Sequence, residues 1–136
     1  MRTFTSLLAA LLALTGTLQG QTKNKAPKIE YLMIDGKKEP SKAYLNPGEM
    51  YLIKVAVADP ENDPLTAKWE LFAEAELRDA ATQKRPPVAI PDVVVGSLKN
   101  AMLKVPITAG PYKLLLHVMD NHKNMTTAGI TLVVLK

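Results

Sequence analysis

The stretch D-P-E-N-D-P-L-T-A-K-W-E-L-F, residues 59–72, decides how this chain is read. Its first half sets Asp59, Glu61 and Asp63 among two prolines and an asparagine, a composition that ends a strand and turns the backbone. Its second half alternates. Ala67, Trp69 and Leu71 share one parity and Lys68 and Glu70 the other, which is the period of a half-buried strand. The single tryptophan of the chain is therefore aimed into a core by a strand that leaves an acidic corner. A second corner of similar build lies in G-P-Y-K-L-L-L-H-V-M-D-N-H-K-N, residues 110–124. There Tyr112 opens a strand with Leu114, Leu116 and Val118 on its side, and the polar turn from Asp120 to Asn124 ends it.

The rest of the chain reads outward from these two corners. Residues 50–59 place Tyr51, Ile53, Val55 and Val57 on one face and read as a central strand. Ile29 to Ile34 forms a first strand, closed by Asp35-Gly36. Tyr44-Leu45 makes a short edge before the turn Asn46-Pro47-Gly48. Ala101, Leu103 and Val105 alternate until Pro106, whose missing amide suits a strand end, and Thr126 to Leu135 is the last strand. Six or seven short strands separated by turn signals predict an all-β fold, a β-sandwich. Residues 73–100 are too long for an ordinary connection in a compact domain. They read as an irregular excursion with a helical turn at 74–80 and an edge strand at 93–95.

The first twenty residues stand apart from this pattern. Arg2 gives a positive start, residues 7–14 are an unbroken run of leucine and alanine, and Gly16 and Gly20 supply small residues before Gln21. This is the pattern of an export signal, too short for a membrane span in the mature chain. The expected organisation is thus a signal peptide over 1–20, a tail over 21–26 and one domain over 27–136, and the expected location is secreted or periplasmic. With no cysteine, the chain has no disulfide framework, thiol nucleophile or cysteine metal site. Its net charge of +4 is spread along the chain apart from Lys23, Lys25 and Lys28, which argues against a nucleic-acid partner.

Taken in order, these motifs resemble a known group, the small immunoglobulin-like modules, related in pattern to PKD and cadherin-like repeats, attached to secreted bacterial glycoside hydrolases of family 2. The residues that carry the resemblance are Ala26-Pro27-Lys28-Ile29, the loop from Asp59 to Leu65, Trp69-Glu70-Leu71, Arg85-Pro86-Pro87 with Ile90-Pro91, Gly110-Pro111-Tyr112, and the turn from Asp120 to Asn124. The resemblance implies an immunoglobulin-like antiparallel β-sandwich of about seven strands. It also implies a non-catalytic accessory role in a polysaccharide setting, with a protein or an extracellular polysaccharide as partner. Such modules usually have a glycine-rich turn where this chain has Asn121-His122-Lys123-Asn124, and they ride on a catalytic domain absent from this sequence. No catalytic residue carries over.

Trp69 is expected in the core, and Tyr112 as a corner tyrosine whose hydroxyl meets nearby backbone. Placing Trp69, Tyr51 and Tyr112 inside leaves Tyr31, Tyr44 and Phe72 scattered, a poor platform for stacking sugar rings. Asp59, Glu61, Asp63 and Asp120 fall at one pole of a sandwich, where they form a candidate calcium cage, since calcium takes 6–8 oxygen ligands. The competing account is that these carboxylates cap turns through backbone amides, with Lys68 and Lys123 offsetting their charge. His117 and His122 are spaced neither as a helical ligand pair nor as a catalytic triad, and His117 is expected to be a lone surface histidine. The excursion offers Arg78, Lys84 and Arg85 and the edge at 93–95 to a partner, or it covers the sandwich edge instead.

Overall fold

The computed structural model describes residues 25–35, 37–38, 42–96 and 98–136. The expected signal over 1–20, the start of the tail and Gly36 lie outside the described residues. Among these residues nine strands and one helix follow one another: β1 (Lys28–Ile34), β2 (Lys37–Lys38), β3 (Lys42–Leu45), β4 (Met50–Ala58), β5 (Leu65–Ala73), α1 (Glu74–Gln83), β6 (Val94–Val95), β7 (Ala101–Lys104), β8 (Gly110–Asp120) and β9 (Met125–Val134). They form two sheets, one ordered β2-β1-β4-β7-β6 and the other β3-β9-β8-β5. The fold is the all-β sandwich that the alternation predicts. Of the two-residue pieces, β6 is the edge strand expected at 93–95, and only β2 goes beyond the expected strands.

Parity decides the core. On β4 Ile53, on β5 Leu71, on β7 Ala101 and Leu103, on β8 Leu114 and on β9 Ile130, Leu132 and Val134 are buried in one cluster, joined by Leu32, Ile34, Ala43, Leu45, Val105 and Tyr112. Trp69 is half-buried and packs against that cluster with Val55, as its parity predicts. The Tyr112 hydroxyl donates to the Thr108 carbonyl at 2.7 Å, the backbone bond expected of a corner tyrosine. One pairing departs from a wholly antiparallel design: β3 runs parallel to β9, with Ala43 opposite Leu132 and Leu45 opposite Val134. The chain changes sheets between β2 and β3, so β3 meets the far edge of the second sheet in the direction of β9.

Residues 73–100 are more ordered than the sequence suggests. The expected single helical turn runs on to Gln83 because E-A-E-L-R-D-A-A-T-Q consists largely of helix formers, with Glu74 and Glu76 at the positive end of the helix dipole. Lys84 ends it in a left-handed conformation at φ 54°, and the Arg85 amide donates back to the Ala80 carbonyl at 3.0 Å. Arg85 then returns to the first turn. Its guanidinium nitrogens lie 2.5 and 3.2 Å from the Glu76 carboxylate, to which the Val88 amide also donates at 2.9 Å. Beyond this knot the Ile90 amide donates to the Leu71 carbonyl at 2.8 Å, and the Lys104 amide to the Val93 carbonyl at 2.7 Å. The excursion thus passes from β5 at the edge of one sheet to β7 in the other, closing that side of the sandwich with Ile90, Val93 and Val94 against the core. Covering an exposed edge is what it does.

Phe72 is a correction to the sequence reading. It lies on the outward parity of β5, yet it is only 4% exposed, because α1 packs on β5 and β8. No aromatic platform can include it.

Candidate functional site

The two corners meet at one pole, as the order of the strands predicts. After β4, the Asn62 amide donates to the Asp59 carbonyl at 3.0 Å and the Asp63 amide to Asp59 Oδ2 at 2.5 Å, with Asn62 left-handed at φ 55°. Asp59 closes its own turn. Its other oxygen, Oδ1, is buried and meets no hydrogen-bond donor among the described residues. At the end of β8, Asp120 is 4% exposed. Its Oδ1 accepts the His122 and Asn124 amides at 2.8 and 2.9 Å, and Oδ2 accepts Asn124 Nδ2 at 3.1 Å. Lys123, at φ 66°, takes the left-handed position that a glycine would fill. Burial pushes the Asp120 carboxyl up, but these three bonds and the nearby His122 outweigh it and hold the group below its ordinary value.

His122 Nδ1 lies 3.5 Å from Asp63 Oδ2 and ties the loops together. Ligand atoms of Asp63, Asp120 and His122 lie within 4.8 Å of one another, and so do those of Asp59, Glu61 and Asp63. The first group mixes an imidazole with carboxylates, and its Asp120 already receives three donors. The second is all oxygen, which suits a hard cation. Glu61 is exposed and accepts the Lys25 amide at 3.3 Å. Lys68, expected to offset charge at this pole, instead faces Glu70 at 3.8 Å, since its parity turns it to the outer face of the second sheet.

That outer face holds what the sequence reading missed. His117 is not a lone surface histidine: its Nε2 lies 2.8 Å from Glu70 Oε1 and its Nδ1 2.9 Å from Thr127 Oγ1. The carboxylate accepts a hydrogen bond from Nε2–H, so in the neutral ring Nδ1 accepts from the Thr127 hydroxyl. Register builds this line, because Lys68 and Thr127 stand on either side of His117 and Glu70 is one outward position further along β5. Alternation alone puts all of these outward; only the pairing of β5, β8 and β9 makes them neighbours.

The outer face of the first sheet is of another kind. Met50, Leu52 and Val95 are 48%, 41% and 63% exposed, and Leu52, Met102 and Val95 stand in one row across β4, β7 and β6. Tyr31 and Met33 of β1 continue the patch opposite Ala56 and Lys54, and Lys104 stands opposite Met50 at its end.

No protein-family model and no curated protein sequence matches the chain. Among solved structures it is similar to a chain from Bacteroides fragilis described as an alpha-galactosidase, with a TM-score of 0.47 and 12% identity over 82% of this chain. It spans 18% of that protein's length, and a likeness of this size carries nothing about activity. No helix among the described residues is long and apolar enough to cross a membrane.

Proposed function

We propose that the chain is a non-catalytic, immunoglobulin-like interaction module of an exported protein, working in a polysaccharide-degrading setting, and that it docks a protein through the outer face of the β1-β4-β7 sheet. The exposed row Leu52, Met102 and Val95, extended by Met33, Met50 and Tyr31, is the observation that supports it, since methionine and aromatic residues are enriched in interface cores and contiguous apolar surface marks interaction sites. Lys54 and Lys104 stand in and beside the patch. The partner that fits is a protein surface with carboxylates around an apolar centre. The polysaccharide setting and export rest on the motif resemblance and the N-terminal pattern. A non-catalytic role is favoured by the second sheet, where Thr127, His117 and Glu70 line up as hydroxyl, imidazole and carboxylate. Strand β8 is paired on both sides, so the backbone amides next to His117 are taken up in the ladder and are not offered to an oxyanion.

The test is a pull-down from culture supernatant with the wild type, with Leu52→Glu/Met102→Glu, and with Arg78→Ser/Lys84→Ser in the excursion. The first variant should lose a specific partner while keeping its melting temperature, and the second should retain it. Equal recovery by all three would remove the docking face, and turnover of any glycoside would overturn the non-catalytic reading. A second reading, a calcium-stabilised adhesion module, is favoured by Asp59 Oδ1, buried without a donor beside Glu61 and Asp63. In that reading calcium raises the melting temperature by binding linkage and Asp59→Asn abolishes the rise. A melt insensitive to both calcium and EDTA rejects it.

A further inference from the structure

The second sheet's outer face carries more than a hydrogen-bonded histidine. Met119 of β8 and Met125 of β9 stand directly opposite each other in the last pair of the ladder before the turn. Residues directly opposite on one face have Cβ atoms about 4.5–5.5 Å apart, and diagonal neighbours about 7–8 Å. His117 precedes Met119 by two residues and shares its face, so one imidazole and two thioethers fall within the reach of flexible methionine side chains. All three border a shallow depression that also holds Thr66, Lys68 and Glu70 on the β5 side, while Nδ1 faces Thr127 on the β9 side, outside that lining. Met125 is 53% exposed there, so its sulfur is open to an ion from solvent.

We propose that His117 Nδ1 and the sulfurs of Met119 and Met125 form a binding site for a soft monovalent metal ion, copper(I). Thioether and imidazole donors select that ion over hard or borderline divalent cations. The imidazole is already oriented for the task. Glu70 holds Nε2 and thereby fixes the tautomer whose Nδ1 lone pair faces the β9 side, the role that carboxylates play behind metal-bound histidines. An entering ion replaces only the Thr127 hydroxyl at Nδ1, and that hydroxyl is exposed enough to bond to water. Charge fits as well: Glu70 is balanced by Lys68, whose side chain is 73% exposed and lies 3.8 Å away, so a neutral ligand set receives a single positive charge. Glu70 is a positioning residue here and does not ligate.

The experiment is an anaerobic titration of the full chain with copper(I) in competition with a chromophoric copper(I) chelator, paired with silver(I) titration followed by methionine methyl NMR. One equivalent should bind, and the methyl signals of Met119 and Met125 should move while those of Met50 and Met102 stay. Met119→Leu and Met125→Leu nearly conserve volume and should each lose the complex at an unchanged melting temperature. Met50→Leu, on the other sheet, should bind as the wild type does. Glu70→Gln should weaken binding by about 10–100-fold, whereas zinc and calcium should not compete. The proposal is overturned if the folded wild type forms no one-to-one complex, if the Met119→Leu/Met125→Leu double variant binds as tightly as the wild type, or if Met50→Leu loses binding to the same degree.

Discussion

Replacing Phe72 by alanine tests whether α1 is a structural part of the sandwich or an ornament on it. The ring is 4% exposed on the face of β5 that points away from the main core, so its burial depends on the helix. Transfer of a fully buried phenylalanine is worth about 1.5–3 kcal/mol, and truncation with the cavity it leaves costs about 3–5 kcal/mol. Because α1 packs chiefly on β5 and β8, it can settle into the void, which puts the expected loss near the lower end, about 3 kcal/mol. For a domain of this size that is a fall of roughly 10–20 °C in melting temperature. Urea unfolding followed by Trp69 fluorescence gives the free energy. Amide exchange at Arg85 and Val88, which close the knot behind the helix, should quicken beyond what the global loss accounts for. A loss below about 1 kcal/mol, well under the range for a buried ring, would refute the claim that the helix and Phe72 bury each other.

Three further outcomes follow from the same contacts. Tyr112→Phe removes the bond to the Thr108 carbonyl and should cost about 0.5–1.5 kcal/mol in urea unfolding; burial also raises the Tyr112 hydroxyl above its ordinary value, so in a spectrophotometric titration it should be among the last tyrosines to ionise. The Glu76 carboxyl is lowered to about 2, first by its hydrogen bond from Arg85 and then by the Val88 amide. A depressed carboxyl stabilises the fold fully above its ordinary value of 4.5 and loses that contribution as pH falls towards 2, so the melting temperatures of wild type and Glu76→Gln should differ at pH 6 and converge on acidification. Asp120→Asn keeps the side-chain shape but replaces one acceptor oxygen with an amide group that faces either the Asn124 side-chain amide or the His122 and Asn124 backbone amides, so it should lower the melting temperature at neutral pH more than Glu61→Gln, whose side chain is exposed.

The strands were legible because each sheet keeps one face dry. Tyr112, Leu114, Leu116 and Val118 announce β8 without any knowledge of its neighbours, and Asp59 and Asp120 announce the turns that flank β4 and β8. Helix α1 was half legible: its composition favours a helix, but the return of Arg85 to Glu76 that ties its end to its first turn, a contact nine residues apart, is one that no period reveals. Phe72 was misplaced for a related reason, since parity says which way a side chain points and not what lies there.

The same limit explains why the candidate sites came apart as they did. The pole at Asp59, Glu61, Asp63 and Asp120 could be assembled from sequence because sandwich topology brings alternate corners together, and both corners carry visible turn chemistry. His117 could not be placed, because its meaning depends on which residues stand beside it in the ladder. Pairing Lys68 with His117 and His117 with Thr127 turns an isolated histidine into an oriented one, and shifting either strand by a single residue would send its side chains to the other face. Register therefore links the two readings of this sheet. The alternation that buries Leu116 and Val118 also requires His117 and Met119 to face outward together, opposite Thr127 and Met125, so a variant that moved the imidazole away from the two sulfurs by slipping register would at the same time expose the core.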